Sequence, residues 1–228
     1  MRKGRDYAVE FLRFLATVGI AIFHFEWIYV GHPVYFVHFY ILVEFFFVLS
    51  GFFLAKKVVS QDDYTMFCVV QSTAKETIKL WKPYIICFAF CFFVYCLRFE
   101  IVDVGEIFRL LWNCKWEILF FQLSGFDVNA PIINGVTSYI PALLVASAVI
   151  TYLIIEHRKL TQNILVFIVP VFIYSHIIDV YGNLSQWSMF ENWYTIGILR
   201  GLAGCLVGVG AYIYGERNSG RLSNVELL

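Results

Sequence analysis

The sequence predicts an all-α membrane protein, a polytopic bundle of about six transmembrane helices. Its composition is the first observation: 60% of the 228 residues are hydrophobic and 15% are charged, whereas soluble domains carry about 25% charged residues. The mean hydropathy is +0.72. The second observation is that the apolar residues form stretches of about 20, the length that crosses a bilayer as a helix. The third is that no tract marks a separate soluble domain, so residues 1–228 are predicted to form a single membrane domain.

Six apolar stretches are predicted to cross the membrane. The first carries Arg13 and His24, runs longer than a signal peptide and lacks a small-residue cleavage site. A shorter apolar piece at 116–126 cannot cross alone, and is predicted to be re-entrant, interfacial or part of a tilted helix. The predicted spans are, in chain order, 8–30, 36–55, 84–99, 137–155, 162–181 and 193–214.

Small residues mark two places where helices are predicted to approach closely. Ser50 and Gly51 lie near one end of the second span, where a ligand or a neighbouring helix could come near the backbone. The last span carries four glycines spaced by four, three and four residues, which places them on one helix face and predicts close helix packing. These glycines are Gly197, Gly201, Gly204 and Gly208.

Basic residues are distributed unequally between the two sides of the predicted bundle. Cytoplasmic loops carry an excess of Lys and Arg, so the richer side is predicted to be the cytoplasm, with both termini there. The poorer side carries three basic residues, Arg98, Arg109 and Lys115. The richer side carries twelve: Arg2, Lys3, Arg5, Lys56, Lys57, Lys75, Lys79, Lys82, Arg158, Lys159, Arg217 and Arg221.

Neither nucleic acid nor a metal ion is an expected partner. The formal net charge is zero, which gives no electrostatic case for nucleic-acid binding. The six cysteines include no pair with CxxC spacing and fall mostly in apolar stretches, so they are predicted to be buried structural thiols. They are Cys68, Cys87, Cys91, Cys96, Cys114 and Cys205.

Arg13 and His24 are ionisable residues inside the first predicted span. Each such group near mid-membrane costs about 2.5–3.5 kcal/mol to insert, so their presence indicates a use. Eleven residues make about three turns plus 20°, which places both on one face, ~16 Å apart along the axis. Glu10 can pair with Arg13. The alternative is a structural role, in which Arg13 reaches lipid headgroups and His24 hydrogen-bonds to a carbonyl. For His24 we favour a functional role, because imidazole is the usual base near neutral pH.

Glu44 lies near the middle of the second predicted span, where a carboxylate must be paired, protonated or solvated. Its candidate partners are His24, His38 and Arg200. Two roles remain open at this point: an ion pair that fixes helix packing, and a carboxylate that orients a catalytic histidine.

The segment 56–82 is predicted to be a basic cytoplasmic loop. Lys75, Lys79 and Lys82 are spaced by four and three residues, so they would share one cationic helix face. Positive-inside topology with contacts to lipid phosphates accounts for such a face. The functional alternative is a clamp for a phosphorylated cytoplasmic ligand, in which each lysine binds phosphate as a point charge.

Four segments of the chain together resemble the motifs of the acyltransferase 3 family, bacterial integral-membrane O-acyltransferases that modify cell-surface glycans. Arg13 to His24 is similar to the Arg-x10-His of the first helix, and FFVLSG at 46–51 to the FFxxSG of the second. KLWKPY at 79–84 resembles a basic RxxR-Pro-Tyr segment, with Lys at both Arg positions. NGVTSY at 134–139 resembles the Asn…Trp-Tyr start of a later helix, with Ser where Trp is usual.

The resemblance covers nearly the whole chain and implies a multi-pass enzyme of the bacterial inner membrane. It implies that acetyl-CoA binds from the cytoplasm and that its acetyl group passes to a saccharide hydroxyl on the outer side, without a metal. His24 would be the general base or a transient acyl carrier. With Glu44 from its position in the second span, the predicted catalytic residues are His24, Arg13 and Glu44, and the predicted donor-binding residues are Lys75, Lys79, Lys82, Ser50 and Arg13.

Several alternatives to a self-sufficient enzyme follow from the same residues. Members of this family usually carry more helices than are predicted here, so the chain could be a compact variant, a homo-oligomer or one part of a longer gene product. It could also be a truncated, inactive relative. A proton-coupled transporter that uses Arg13, His24 and Glu44 is the alternative from another class, although the inverted repeats typical of transporters are not evident.

Overall fold

Long α-helices make up most of the chain in this computed structural model. The helices are α1 (Tyr7–Val30), α2 (Leu42–Val59), α3 (Met66–Arg98), α4 (Val104–Asn113), α5 (Lys115–Ile118), α6 (Tyr139–Glu156), α7 (Arg158–Leu160), α8 (Val166–Tyr181) and α9 (Ile196–Asn218). A 3-10 turn (Phe39–Ile41) precedes α2, a π-helical turn (Thr161–Leu165) precedes α8, and Phe190–Glu191 pairs antiparallel with Tyr194–Thr195. The residues that the structure describes are 7–59, 65–119, 133, 139–185, 190–191 and 194–218.

Six helical segments are long and apolar enough to cross a membrane, which confirms the predicted fold class. All six coincide with predicted spans, and their ends differ from the predicted ends by a few residues, except in the third. The segments are Tyr7–Trp27, Phe39–Val59, Phe67–Arg98, Tyr139–Glu156, Arg158–Tyr181 and Ile196–Asn218.

The third span was predicted wrongly at its beginning. The helix α3 begins at Met66 rather than at residue 84, so most of the predicted loop 56–82 is helical. A search for apolar stretches misses this part because polar and charged residues interrupt it between positions 71 and 82, although Lys, Gln and Glu form helices well. Pro83 lies inside α3; its missing amide removes one backbone hydrogen bond, and the helix continues past it. At ~1.5 Å per residue α3 is about 50 Å long, and it carries the lysines on a rigid element.

The helix α9 occupies the centre of the bundle, where it packs against α2, α6 and α8. Its glycines permit this: a Cβ at Gly201 would lie 3.1 Å from the carbonyl oxygen of Ala142 on α6, and a Cβ at Gly204 would lie 2.6 Å from Cβ of Phe47 on α2. At Gly208 the backbone of α2 leaves no room for a side chain. The predicted role of these three glycines in close helix packing is confirmed.

The helix α1 lies at the side of the bundle, against α2 and the 3-10 turn. Ala16, Gly19, Phe23 and Glu26 form its buried face. The Glu26 carboxylate accepts hydrogen bonds from three consecutive backbone amides of residues 34–36, at 2.9, 3.3 and 3.3 Å. This carboxylate therefore fixes the connection between α1 and α2.

The chain after α3 turns back along that helix. The Trp81 indole N–H donates to the carbonyl of Ile118 (3.1 Å), and the Tyr84 hydroxyl donates to the carbonyl of Glu117 (2.5 Å). Arg98, where α3 ends, lies 14 residues beyond Tyr84, about 21 Å along the helix. Of the short apolar piece 116–126, residues 120–126 lie outside the part of the chain that the structure describes, so its three interpretations stay predictions.

Candidate active site

Arg13 projects from α1 toward α2. Its guanidinium pairs with Glu10 on the same helix (Nη1 to Oε1 2.8 Å), as the spacing predicts. The guanidinium carbon also lies 5.3 Å from the centre of the Phe53 ring on α2, a cation–π distance. The Arg13 side chain remains 39% exposed, so a cation is available at the edge of the α1–α2 contact.

His24 lies on the same side of α1 as Arg13, beside the buried face of that helix, and is half-buried. Its ring makes an edge-on contact with the neighbouring Phe23, with ring centres 5.4 Å apart. Among the described residues, none hydrogen-bonds to the imidazole. The carbonyl-bonded alternative therefore finds no support in the described part of the bundle.

Glu44 is enclosed between three helices in a group that we call the Glu44 cluster: Glu44, Tyr174 and Arg200. The Arg200 Nε donates to Glu44 Oε1 at 2.6 Å, and the Tyr174 hydroxyl donates to Glu44 Oε2 at 2.7 Å. The side chains of Arg200 and Glu44 are only 4% and 13% exposed. A carboxylate enclosed in this way requires such partners, because its desolvation in an apolar interior costs several kcal/mol.

The Glu44 cluster joins α2, α8 and α9. Gly204 lies over it: a Cβ at this position would come within 3.2 Å of Glu44 Oε2 and 3.4 Å of the Tyr174 hydroxyl. Arg200 is the partner that the structure selects from the three predicted candidates. Tyr174 was not predicted, because a tyrosine in an apolar span gives no sign of a partner 130 residues away.

Tyr40 connects the Glu44 cluster to α1. Its carbonyl accepts a hydrogen bond from Arg200 Nη2 (3.5 Å), and its ring lies 6.3 Å from the ring of Phe23. His38, another predicted partner of Glu44, contacts the Tyr40 ring instead, with centres 6.1 Å apart. Among the described residues, the hydrogen-bond partners of Glu44 are thus Arg200 and Tyr174, and neither His24 nor His38 bonds to it.

Lys75, Lys79 and Lys82 are exposed on α3. None of them pairs with an acidic side chain of the described residues; the ion pair found near them joins Lys57 of α2 to Glu76, at 3.8 Å. The helix α3 packs mainly on α6, whereas α1 packs mainly on α2. The lysines and Arg13 are thus carried by different parts of the bundle.

Ser50 and Gly51 have different surroundings in α2. At Gly51 the backbone carbonyl of Cys205 on α9 lies where a side chain would be, so this glycine serves a neighbouring helix. Ser50 is half-buried one position earlier. The predicted close approach of a neighbouring helix is therefore confirmed at Gly51, where that helix is α9.

The cysteines are all free, and their predicted burial is correct for three of them. Cys96, Cys114 and Cys205 are buried, whereas Cys68 and Cys91 are half-buried and Cys87 is exposed, because α3 turns the latter three toward the surroundings. Burial and the nearby Glu117 carboxylate raise the pKa of Cys114 to about 12. Within the described part of the chain, no three His, Cys, Asp or Glu side chains gather in a way that could hold a metal ion.

The segment NGVTSY falls mainly on residues that the structure does not describe. Tyr139, its last residue, begins α6 and is half-buried. The predicted resemblance of residues 134–138 to a helix start therefore lies outside the described residues.

The six spans and the enclosed Glu44 cluster define a multi-pass membrane protein with a polar group among its described helices. The sequence model of the acyltransferase 3 family, described as an acyltransferase domain, matches residues 6–226. The chain belongs to this family, as its motifs predicted, and is a membrane acyltransferase. Comparisons with curated proteins and with solved structures gave no match.

Proposed function

We propose that this protein transfers an acetyl group from cytoplasmic acetyl-CoA to a hydroxyl of a cell-surface glycan. The observation that carries the proposal is the family match over residues 6–226, nearly the whole chain. The proposed location is the inner membrane, with both termini in the cytoplasm, since the basic residues gather on that side.

His24 is the proposed catalytic residue. As a general base, its imidazole takes the proton of the acceptor hydroxyl while the oxygen attacks the thioester carbonyl; the C–S bond then breaks, and the CoA thiolate leaves and takes up a proton. As an acyl carrier, the imidazole itself attacks the thioester carbonyl and the CoA thiolate leaves; the acceptor oxygen then attacks the acetyl-imidazole, gives up its proton and releases the imidazole. The absence of a hydrogen bond from the described residues to this ring is compatible with both routes.

Cationic side chains on the proposed cytoplasmic side are suited to the donor. Arg13 is partly exposed on the face of α1 that carries His24. Lys75, Lys79 and Lys82, which pair with no acidic side chain of the described residues, offer ammonium groups to phosphates. In this proposal Arg13 and the lysines bind acetyl-CoA, with Ser50 nearby on α2.

Glu44 is proposed as a positioning residue. Both its oxygens are occupied by Arg200 and Tyr174, so it does not take a proton from substrate in this arrangement. It acts through the Glu44 cluster, which holds α2, α8 and α9 together and supports Tyr40 beside Phe23.

Transfer of a labelled acetyl group tests the proposal. Membrane vesicles that contain the protein are incubated with acetyl-CoA labelled in the acetyl group. We expect release of free CoA and alkali-labile label on saccharide, both reduced in the double variant Lys79→Gln/Lys82→Gln, with Lys56→Gln as the matched control. Substrate flux across sealed vesicles without thioester cleavage would support a transporter instead, and no cleavage by any form would support an inactive relative.

A further inference from the structure

Buried polar atoms without hydrogen-bond partners gather at one end of the bundle. Among the described residues there are five such side-chain atoms, and four of them belong to Arg158 (Nε), Gln162 (Nε2 and Oε1) and Arg217 (Nε). Arg158 lies one helical turn before Gln162, and Arg217 donates to Asn163, its neighbour, at 3.4 Å. The three residues therefore share one location, where α8 begins and α9 ends.

Gln162 is the unusual member of this group. Its side chain is fully buried, and neither its amide nitrogen nor its amide oxygen has a partner among the residues that the structure describes. An unpaired amide in an apolar interior is unfavourable, and an apolar side chain of the same size would be better tolerated there. Packing therefore does not explain a glutamine at this position.

The backbone around Gln162 is unusual as well. Residues Thr161–Leu165 form a π-helical turn, and single π-helical turns occur frequently at functional sites. The Thr161 hydroxyl anchors this turn to α6 through the carbonyl of Leu153, at 2.9 Å. This is an observation on the backbone, independent of the unpaired side-chain atoms, and it marks the same place.

The group lies on the same half of the bundle as Arg13. Arg13 contacts Phe53 of α2, and the adjacent Phe52 ring packs edge-on against Tyr212 of α9 with ring centres 5.4 Å apart. Arg217 follows Tyr212 by just over one turn of α9. The part of α2 that Arg13 contacts therefore also contacts α9, just over one turn before Arg217.

We propose that Arg158, Gln162 and Arg217 form a subsite for the phosphopantetheine part of the acyl donor, a proposal that rests on the proposed function. The pantetheine arm carries amides, each with one N–H and one carbonyl, which match the unpaired oxygen and nitrogen of the Gln162 amide. Guanidinium groups suit the adjoining phosphates. The Arg158 and Arg217 side chains are only partly buried, so a ligand can approach the group from their side.

The test compares binding of two probes, coenzyme A and adenosine 3′,5′-bisphosphate, to the detergent-purified full chain. Gln162→Leu removes the unpaired amide, so we expect an unchanged or higher Tm, at least tenfold weaker binding of coenzyme A and unchanged binding of the bisphosphate, which has no pantetheine arm. The double variant Arg158→Gln/Arg217→Gln should bind both probes more weakly. Gln71→Leu, at an exposed position of α3, is the matched control.

Three results would overturn the subsite. The first is a Gln162→Leu protein that binds coenzyme A as tightly as the wild type while acetyl transfer continues; the proposed function would then stand. The second is a Tm that rises when phosphatidylglycerol vesicles are added to the wild type but not to Arg158→Gln/Arg217→Gln, while the two proteins bind coenzyme A equally. This result would assign the site to a lipid headgroup. The third is a wild type that binds no coenzyme A, which would also contradict the proposed function. Binding that depends on Gln162 in a protein that never cleaves acetyl-CoA would contradict the proposed function alone.

Discussion

At the residue scale, the charged side chains of this protein divide into accessible and enclosed groups. Arg13 and Glu10 form an exposed pair on one helix, and such pairs contribute little to stability. Glu44 and Arg200 form an enclosed pair that joins two helices, completed by Tyr174 of a third. The first pair leaves a cation available to a ligand, whereas the second fixes the arrangement of the bundle.

Loss of Arg200 should destabilise the protein strongly. In Arg200→Met the Glu44 carboxylate remains enclosed without its cation, and breaking a buried pair in this way costs about 3–5 kcal/mol. Thermal unfolding in detergent should show a clearly lower Tm, partly restored in the double variant Glu44→Gln/Arg200→Met. Glu10→Gln, which breaks the exposed pair, is the control and should leave Tm nearly unchanged. Equal effects of the two single variants would contradict this account of the Glu44 cluster.

At the element scale, the position of α9 depends on residues without side chains. The backbone of α2 lies against Gly208, and the backbone of α9 lies against Gly51. The motif FFVLSG therefore has a packing role at its last residue. The Glu44 cluster lies in the same contact between α2 and α9, so a displacement of α9 would also separate Arg200 from Glu44.

Replacing glycine by alanine should have opposite effects on stability at two positions of α9. In Gly208→Ala the new methyl group meets the backbone of α2, and overpacking of this kind costs about 1–3 kcal/mol. In Gly215→Ala nothing lies within 4 Å of the new atom, and the better helix propensity of alanine should stabilise by about 0.5–1 kcal/mol. Unfolding temperatures of the two variants in the same detergent check this; a Tm of Gly208→Ala at or above that of the wild type would refute the packing.

At the scale of the whole molecule, the sequence predicted the membrane-spanning segments well and the hydrogen-bond partners of their side chains poorly. Length and hydropathy are local properties, so all six spans were found, and only the polar first half of α3 was missed. Partners are not local: Glu44 had three candidates, and Tyr174 had none, because a hydrogen bond across 130 residues depends on how the helices assemble. Gln162 was missed because a buried amide without a hydrogen-bond partner can be recognised only once the packing of the helices is known.

The orientation of the bundle can be tested with reporter fusions. Because basic residues gather on the side of both termini, alkaline phosphatase fused after Asn183, between α8 and α9, should be active outside the cell. The same reporter fused after Leu228 should be inactive, and green fluorescent protein should fluoresce there. The reverse pattern would place the lysine-bearing end of α3 outside, away from cytoplasmic acetyl-CoA.

The most direct test of the central claim is the rate of acetyl-CoA cleavage by vesicles that contain His24→Gln, compared with His32→Gln. His32 is an exposed histidine beyond the end of α1, so its variant should retain the wild-type rate. If His24 is the base or the acyl carrier, His24→Gln should lose about 10²–10⁴-fold in rate while coenzyme A binding and Tm remain unchanged. Full cleavage by His24→Gln would contradict the proposed mechanism.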